Sequence, residues 1–291
     1  MTWTMYRWVW QVVSPLHIGM PPAGALNRTR LYIPARALWG AFTAELARRQ
    51  STGFPGYRQV GRQLQEQARL SYLFPAEEVQ GQWLAWLPCY KEGQGLVWRR
   101  EDGQEEENRR FRLRILITRP GTAIDPATDT AAEGTLREFE LISSRWRPLD
   151  EGGDPQPVGM VGYLFCKDPA LYEQLEEIRE IFVGGDTRYG LGRLQRVHLE
   201  EATQFFDCSV DLSGNSPKVR ANRVLAHTLL KKENDSPLVG SLECIAGWDT
   251  ATDGLKEGKL TWAPGSSWQG DRECSIQEDG LWNGNAGSEA C

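Results

Sequence analysis

The segment best equipped for chemistry is Gly184-Gly185-Asp186-Thr187-Arg188-Tyr189-Gly190-Leu191-Gly192-Arg193. Its four glycines fall within nine positions and allow positive φ and close backbone approach. Exposed N–H groups in such a loop can cradle a phosphate. Arg188 and Arg193 would add charge-assisted contacts, and Tyr189 a stacking face. The loop is no Walker motif, because no Gly-Lys-Ser/Thr closes it. Nor is it a Rossmann turn, because it follows an expected helix and precedes an expected strand. A connection that uses glycine for geometry alone is the competing reading.

Acid–base and metal chemistry have few candidates. The histidines are His17, His198 and His227. His17 reads as a structural or ligand-contacting residue; His198 falls in a closing strand and His227 in an expected basic helix, neither with an evident partner. Asp125 and Asp129 have no third ligand nearby and read as turn residues. The six cysteines, 89, 166, 208, 244, 274 and 291, form no CxxC pair, and their closest spacing is 17. A structural zinc needs clustered ligands, so no metal or cofactor is expected, and scattered reduced thiols suit a cytoplasmic chain.

These residues belong to a chain of 291, with 40% apolar and 25% charged residues, enough for a sizeable core in one large domain or two. No apolar run is long enough to span a membrane, and the first residues lack a signal-peptide pattern. The net charge of −6 is unevenly spread. Residues 1–75 hold nine arginines against Glu45 and Glu66, a net +7, and the remainder holds 24 basic and 37 acidic residues, a net −13. That asymmetry predicts a basic face on an acidic body.

Several elements must position the loop. Residues 6–13 are aromatic and β-branched and predict a strand ended by Ser14-Pro15. A Pro- and Gly-rich loop leads to a helix from Ala35 to about Arg49, with Leu38, Phe42 and Leu46 on one stripe and Arg36, Trp39 and Thr43 on other faces. A polar helix over 57–70 and a hairpin over 83–98 follow. The run 99–110 reads as a solvated loop tip, and Arg112–Ile117 as a strand with Arg112 and Arg114 on one face. Next come a loop over 118–134, strands over 136–142 and 158–165, a helix over 169–182 and a closing strand over 194–199. The fold class is therefore α+β: a ferredoxin-like (RRM-like) βαββαβ domain with insertions over 1–205. It packs helices on one sheet face and leaves the other free. Trp8 and Trp10 share a face of the first strand with Tyr6 and read as core or interface. Residues 206–291 form a smaller, degenerate C-terminal part: a linker over 208–217, a basic helix over 218–233, a strand over 238–246, and a Gly-, Ser- and Trp-rich tail.

Ser14 to Gly19, Leu31 to Phe42 and Gly184 to Arg193, in order and on the expected elements, together resemble the RAMP superfamily of CRISPR-associated proteins. Ser14-Pro15-Leu16-His17-Ile18-Gly19 is similar to its post-strand motif. Leu31-Tyr32-Ile33-Pro34-Ala35-Arg36-Ala37-Leu38-Trp39-Gly40-Ala41-Phe42 is similar to its helix-opening motif, with Ala35 in place of the usual Gly and Trp39 where Lys is common. Gly184 to Arg193 is similar to its glycine-rich loop. Segments 122–136, 246–249 and 263–267 further resemble the subunit that holds the 5′ handle of CRISPR RNA in type III complexes.

The resemblance implies RNA binding through His17, Asn27, Arg28, Arg30, Arg36, Trp39 and the loop residues Gly184, Gly185, Asp186, Thr187, Arg188, Tyr189, Gly190, Gly192 and Arg193, with Tyr189 or Trp39 stacking a splayed base. It implies as partners crRNA, the large signalling subunit and backbone RAMP subunits, with target RNA met indirectly and no membrane. Backbone subunits that cut target RNA carry an Asp after the first strand; here Met20 to Arg30 holds no carboxylate, so no catalytic residue is expected. A catalytically silent backbone subunit, a crRNA-processing endoribonuclease and a protein-only scaffold remain as alternatives.

Overall fold

A computed structural model describes residues 2–50, 53–54, 56–148, 153–229, 238–249 and 254–284. The first strand, Thr4–Val12, lies inside a large sheet between Arg193–Glu201 and Gly159–Cys166, antiparallel to both. Phe74–Val79 and Ala68–Leu70 pair with the far side of Gly159–Cys166. The helices Ala35–Gln50 and Pro169–Glu176 make the two crossovers. Fourth–first–third–second is the strand order of a split βαβ pair, in an α+β chain. The hairpin Gln82–Lys91 and Gly95–Arg100 extends this sheet, and Glu105–Glu107 ends it.

Burial on the helix side follows from period-2 alternation in the first strand. Trp8 and Trp10 are fully buried, with the Phe42 ring 5.1 and 5.7 Å from theirs, and Tyr6 stacks on Tyr172 at 4.0 Å. Each such ring pair adds about 0.5–1.5 kcal/mol beyond area burial. Trp39 and Thr43 are also buried, because the second helix, Tyr57–Gln67, covers that side with Val60 and Leu64. The opposite sheet face is not free, as the bare βαββαβ pattern predicts. Tyr163 on that face meets Phe205 and Phe206, both at 4.8 Å, and Phe205 meets Trp282 at 6.1 Å. The C-terminal segments that a short-range reading leaves outside the domain thus supply its second core layer.

Three further expectations are corrected. Asn108–Ile115 is a helix, not a strand: Phe111 and Ile115, four apart, are both fully buried, and Phe111 stacks on Trp98 at 4.3 Å. The charge run 99–110 is a solvated tip only in part: residues 102–105 are exposed, but Arg100, Glu101 and Glu106 are drawn into ion pairs. Arg114 bridges Glu77 and Glu106, and Arg100 also binds Glu77, over the Trp86 and Trp146 rings. The helix opened by Pro169 and capped by Asp168 stops at Glu176, so that Glu180–Phe182 can pair with Arg193–Glu201.

Downstream, Lys218–Arg223 is a strand rather than a basic helix, alternating buried Val219 and Ala221 with outward Arg220. The remainder of that expected helix, beyond Leu229, lies outside the described residues. A seven-stranded sheet runs in the order Ser209–Asp211, Lys218–Arg223, Ser267–Ile276, Trp282–Gly284, Thr228–Leu229, Gly254–Trp262, Leu242–Asp249. Among the described residues no helix accompanies it, and no helix is long and apolar enough to cross a membrane.

Candidate functional site

The glycine-rich loop is built onto the segment after the first strand. Gly185 N–H donates to the His17 carbonyl and Gly192 N–H to the Pro15 carbonyl, each at 2.9 Å, and Arg193 N–H donates to Ser14 Oγ at 3.0 Å. Gly184 has φ +90°, and a Cβ there would lie 2.3 Å from the His17 carbonyl oxygen; Gly192 has φ +77° and the same difficulty with Val183. Between them, Thr187–Tyr189 forms one 3₁₀ turn, entered through Asp186 at φ 56° and left through Gly190, whose N–H donates to Thr187 O at 3.0 Å. The N–H groups of Gly185, Gly190 and Gly192 are therefore committed inside the protein. Three of the four glycine N–H groups are thus not open to a phosphate and serve the loop's geometry; Arg188 and Tyr189 face outward, and Leu191 is buried.

His17 is the buckle between the loop and a small sheet. Its Nδ1 lies 3.0 Å from the Glu140 carbonyl, which can only accept, so Nδ1 carries the proton. The imidazole is 8% exposed and meets the Phe139 ring edge-on at 5.6 Å. His17 thus positions the site from beneath, rather than from its surface as the motif implies. The small sheet consists of Leu26–Asn27, Arg137–Ile142 and Leu116–Gly121. Asn27 Nδ2 donates to Glu138 O at 3.1 Å, and Thr29 N–H to the Glu140 carboxylate, also at 3.1 Å. On one face of this hairpin lie Arg137, Phe139 and Leu141, with Arg119 directly across from Phe139. Sequence reading missed Arg119, Arg137 and Phe139, although their alternation was a usable signal for a common face.

A cavity of about 170 Å³ opens between this hairpin face and the loop, lined by both arginines, Phe139, Asp186, Tyr189 and Leu191. Tyr189 is 58% exposed, with the Arg188 guanidinium 5.5 Å from its ring centre. Among the described residues, Arg28, Arg119, Arg137 and Arg188 have no carboxylate partner. They differ in this from the other candidates. Arg30 is bound to Glu243 at 3.0 Å and to the Gly19 carbonyl. Arg193 is paired with Glu180 at 2.6 Å, Arg36 reaches the C-terminal sheet beside Gly247, and Trp39 is buried with its indole N–H on Gly61 O at 3.0 Å. Trp39 therefore has no ring face to offer a ligand, whereas the Tyr189 ring is open to solvent.

A second cluster gathers residues that sequence reading kept apart. His227 is fully buried, with Tyr72 Oη 2.8 Å from Nδ1 and Glu243 Oε2 3.1 Å from Nε2; Tyr32 Oη lies 3.2 Å from Nε2, and Arg30 closes the set on Glu243. Burial lowers the His227 pKa below its ordinary 6.5, outweighing the neighbouring carboxylate. Burial pushes Glu243 upward, but the His227 and Arg30 donors overcome it and hold the carboxylate at about 2. Neutral His227 thus accepts from Tyr72 and donates to Glu243. Its position, closed to solvent and bridging the two sheets, is that of a fastener. His198 is exposed beside Glu200, and Asp125 accepts from Ala127 N–H in a turn.

No protein-family model matches this sequence, and no curated protein does. Solved structures do. With a TM-score of 0.56 and 18% identity, 90% of this chain superposes on 84% of a chain in the cryo-EM structure of the Type III-B Cmr-beta bound to cognate target RNA and AMPPnP, state 1. The corresponding values against the Type III-B Cmr-beta bound to cognate target RNA are 0.55 and 18%, over 89% and 85% of the two chains. This chain shares its fold with a component of Type III-B Cmr-beta. A share of 90% is too large to leave out the C-terminal sheet altogether.

Proposed function

We propose that this chain is a non-catalytic RNA-binding subunit of a type III CRISPR interference complex. It holds the 5′ handle of the guide RNA and caps the assembly beside the large signalling subunit, with backbone subunits on its other side, in the cytoplasm. One observation carries the reading: Arg119 and Arg137, free of carboxylate partners, line a cavity beside a glycine-shaped loop that carries Arg188 and presents an exposed tyrosine ring. Unpaired guanidinium groups beside an open ring suit single-stranded RNA, whose phosphates need charge and whose bases need a stacking face. The fold shared with the Type III-B Cmr-beta supports placing the chain in such an assembly. A binding rather than cleaving role is supported by the loop 20–30, which holds no carboxylate, and by His17 and His227, both buried.

The experiment is co-purification with the neighbouring subunits, UV crosslinking, and sequencing of the RNA attached to this chain. Crosslinks on a constant 5′ handle, mapped to Tyr189 or the 119–139 hairpin, are the expected result. Crosslinks spread through variable guide sequence would make the chain a backbone subunit, and absence of RNA would leave a protein-only scaffold.

A further inference from the structure

The cavity between the glycine-rich loop and the 116–142 hairpin has a chemistry of its own, distinct from charge for a phosphate backbone. At about 170 Å³ it is smaller than the roughly 300–1,000 Å³ of sites for drug-sized ligands, and it suits a single ring system. Its apolar wall is Phe139 and Leu191, and Tyr189 lies at its edge. Its polar groups are of both kinds. Arg119 and Arg137 can only donate, and the Asp186 carboxylate accepts. Arg137 lines the cavity with its guanidinium carbon 5.5 Å from the centre of the Phe139 ring. Asp186, which has φ 56°, a left-handed conformation entered without glycine, lines the same cavity.

We infer that this cavity is a base-reading pocket that takes one unpaired guanine of the bound RNA. The inference rests on the RNA-binding reading and deepens it. Guanine presents O6 and N7 as adjacent acceptors, the pair that a guanidinium grips with two hydrogen bonds. On its other edge N1–H and N2–H are adjacent donors, which one carboxylate accepts together. No other base offers both a double acceptor edge and a double donor edge. Phe139 and Tyr189 supply ring surface for any base, so the rings set affinity and the Arg–Asp pair sets the choice.

The test uses the full chain and eight-nucleotide single-stranded RNAs: oligo-U, and oligo-U with one central G, A or C. The G-containing strand should bind about tenfold tighter than oligo-U, in line with the discrimination given by one two-pronged base contact. Asp186→Asn should abolish that preference while leaving oligo-U affinity within about twofold; Arg137→Ala should abolish it too, while weakening every strand, because Arg137 also supplies charge to the phosphates. Asn also tolerates the left-handed conformation at position 186, so the loop is preserved. Arg188→Ala should weaken all four strands equally. Equal binding of all four strands, still weakened by Arg188→Ala, would overturn the pocket and leave the RNA-binding reading standing. Preference for another base would overturn the guanine assignment. Failure of every strand to bind would overturn both.

Discussion

Tyr189 shows what a single residue contributes here. A 58%-exposed aromatic on a tight turn gains nothing for folding, since its ring is not in the core. Its neighbours explain its presence: Arg188 over the ring, Asp186 at the entry to the turn, and the cavity beside it. Stacking one base on one ring is worth about 1–3 kcal/mol. Tyr189→Ala should therefore lower affinity for single-stranded RNA about tenfold or more, with the melting temperature unchanged, as measured by fluorescence anisotropy and calorimetry on the same protein. Unchanged affinity would assign the ring to a protein neighbour instead. Trp39 makes the opposite case. In sequence it occupies a position where the RAMP resemblance places a polar residue, but its indole bonds Gly61 within the helix pair. Residue type alone could not separate these two rings; only the second helix, which packs over one of them, does so.

At the scale of elements, the loop and the post-strand segment form one unit. Gly184 lies against the His17 carbonyl with no room for a side chain, at a φ that L-residues avoid. Gly184→Ala should cost about 1–3 kcal/mol through strain and the close approach, lowering the melting temperature by several degrees. Gly190→Ala is the control: it has similar φ strain, but nothing lies within 4 Å of its added Cβ. It should cost less, and equal losses in the two variants would remove the His17 contact from the account. Elements with local signals were legible in sequence: the aromatic strand at 4–12, the Leu38–Phe42–Leu46 stripe, and the glycine loop. The helix at 108–115 was not, because Arg112-Leu113-Arg114-Ile115 alternates like a strand. Only the burial of Phe111 against Trp98, ten and more residues back in the chain, selects period 3.6. The small sheet was hidden for the same reason, since Leu26–Asn27 finds its partner 112 residues away in the sequence.

For the whole molecule, charge is arranged by folding rather than by position in the chain. The nine arginines of residues 1–75 predict a basic face, but Arg7 binds Glu101, Arg30 binds Glu243, and Arg48 and Arg49 share Glu45. Much of the local excess is thus neutralised, and arginines without a carboxylate partner come instead from separate stretches: Arg119 and Arg137 line the cavity, Arg188 lies on the loop beside it, and Arg28 follows the strand Leu26–Asn27 of the same small sheet. Four such contacts give an expected slope near −3 for log affinity against log salt, at about −0.7 per contact for single strands. A slope near zero would take these arginines out of binding.

The joint between the two sheets yields a separate prediction. His227 faces Tyr72, Tyr32 and Glu243, with Arg30 behind Glu243, and this set ties the C-terminal sheet to the N-terminal core. Because burial keeps His227 neutral, its folded pKa lies below the unfolded 6.5. As pH falls through 6.5 the unfolded chain takes up a proton that the folded chain refuses, so stability present above that pH is progressively lost below it. Glu243 acts in the same direction in a lower window, from its ordinary 4.5 down to about 2. Thermal melts between pH 7.5 and 5 should therefore show the melting temperature falling with pH in the native chain. The fall should be flattened in His227→Gln, which retains an amide donor for Glu243. Parallel curves for the two proteins would mean that His227 is not the group whose protonation loosens the joint.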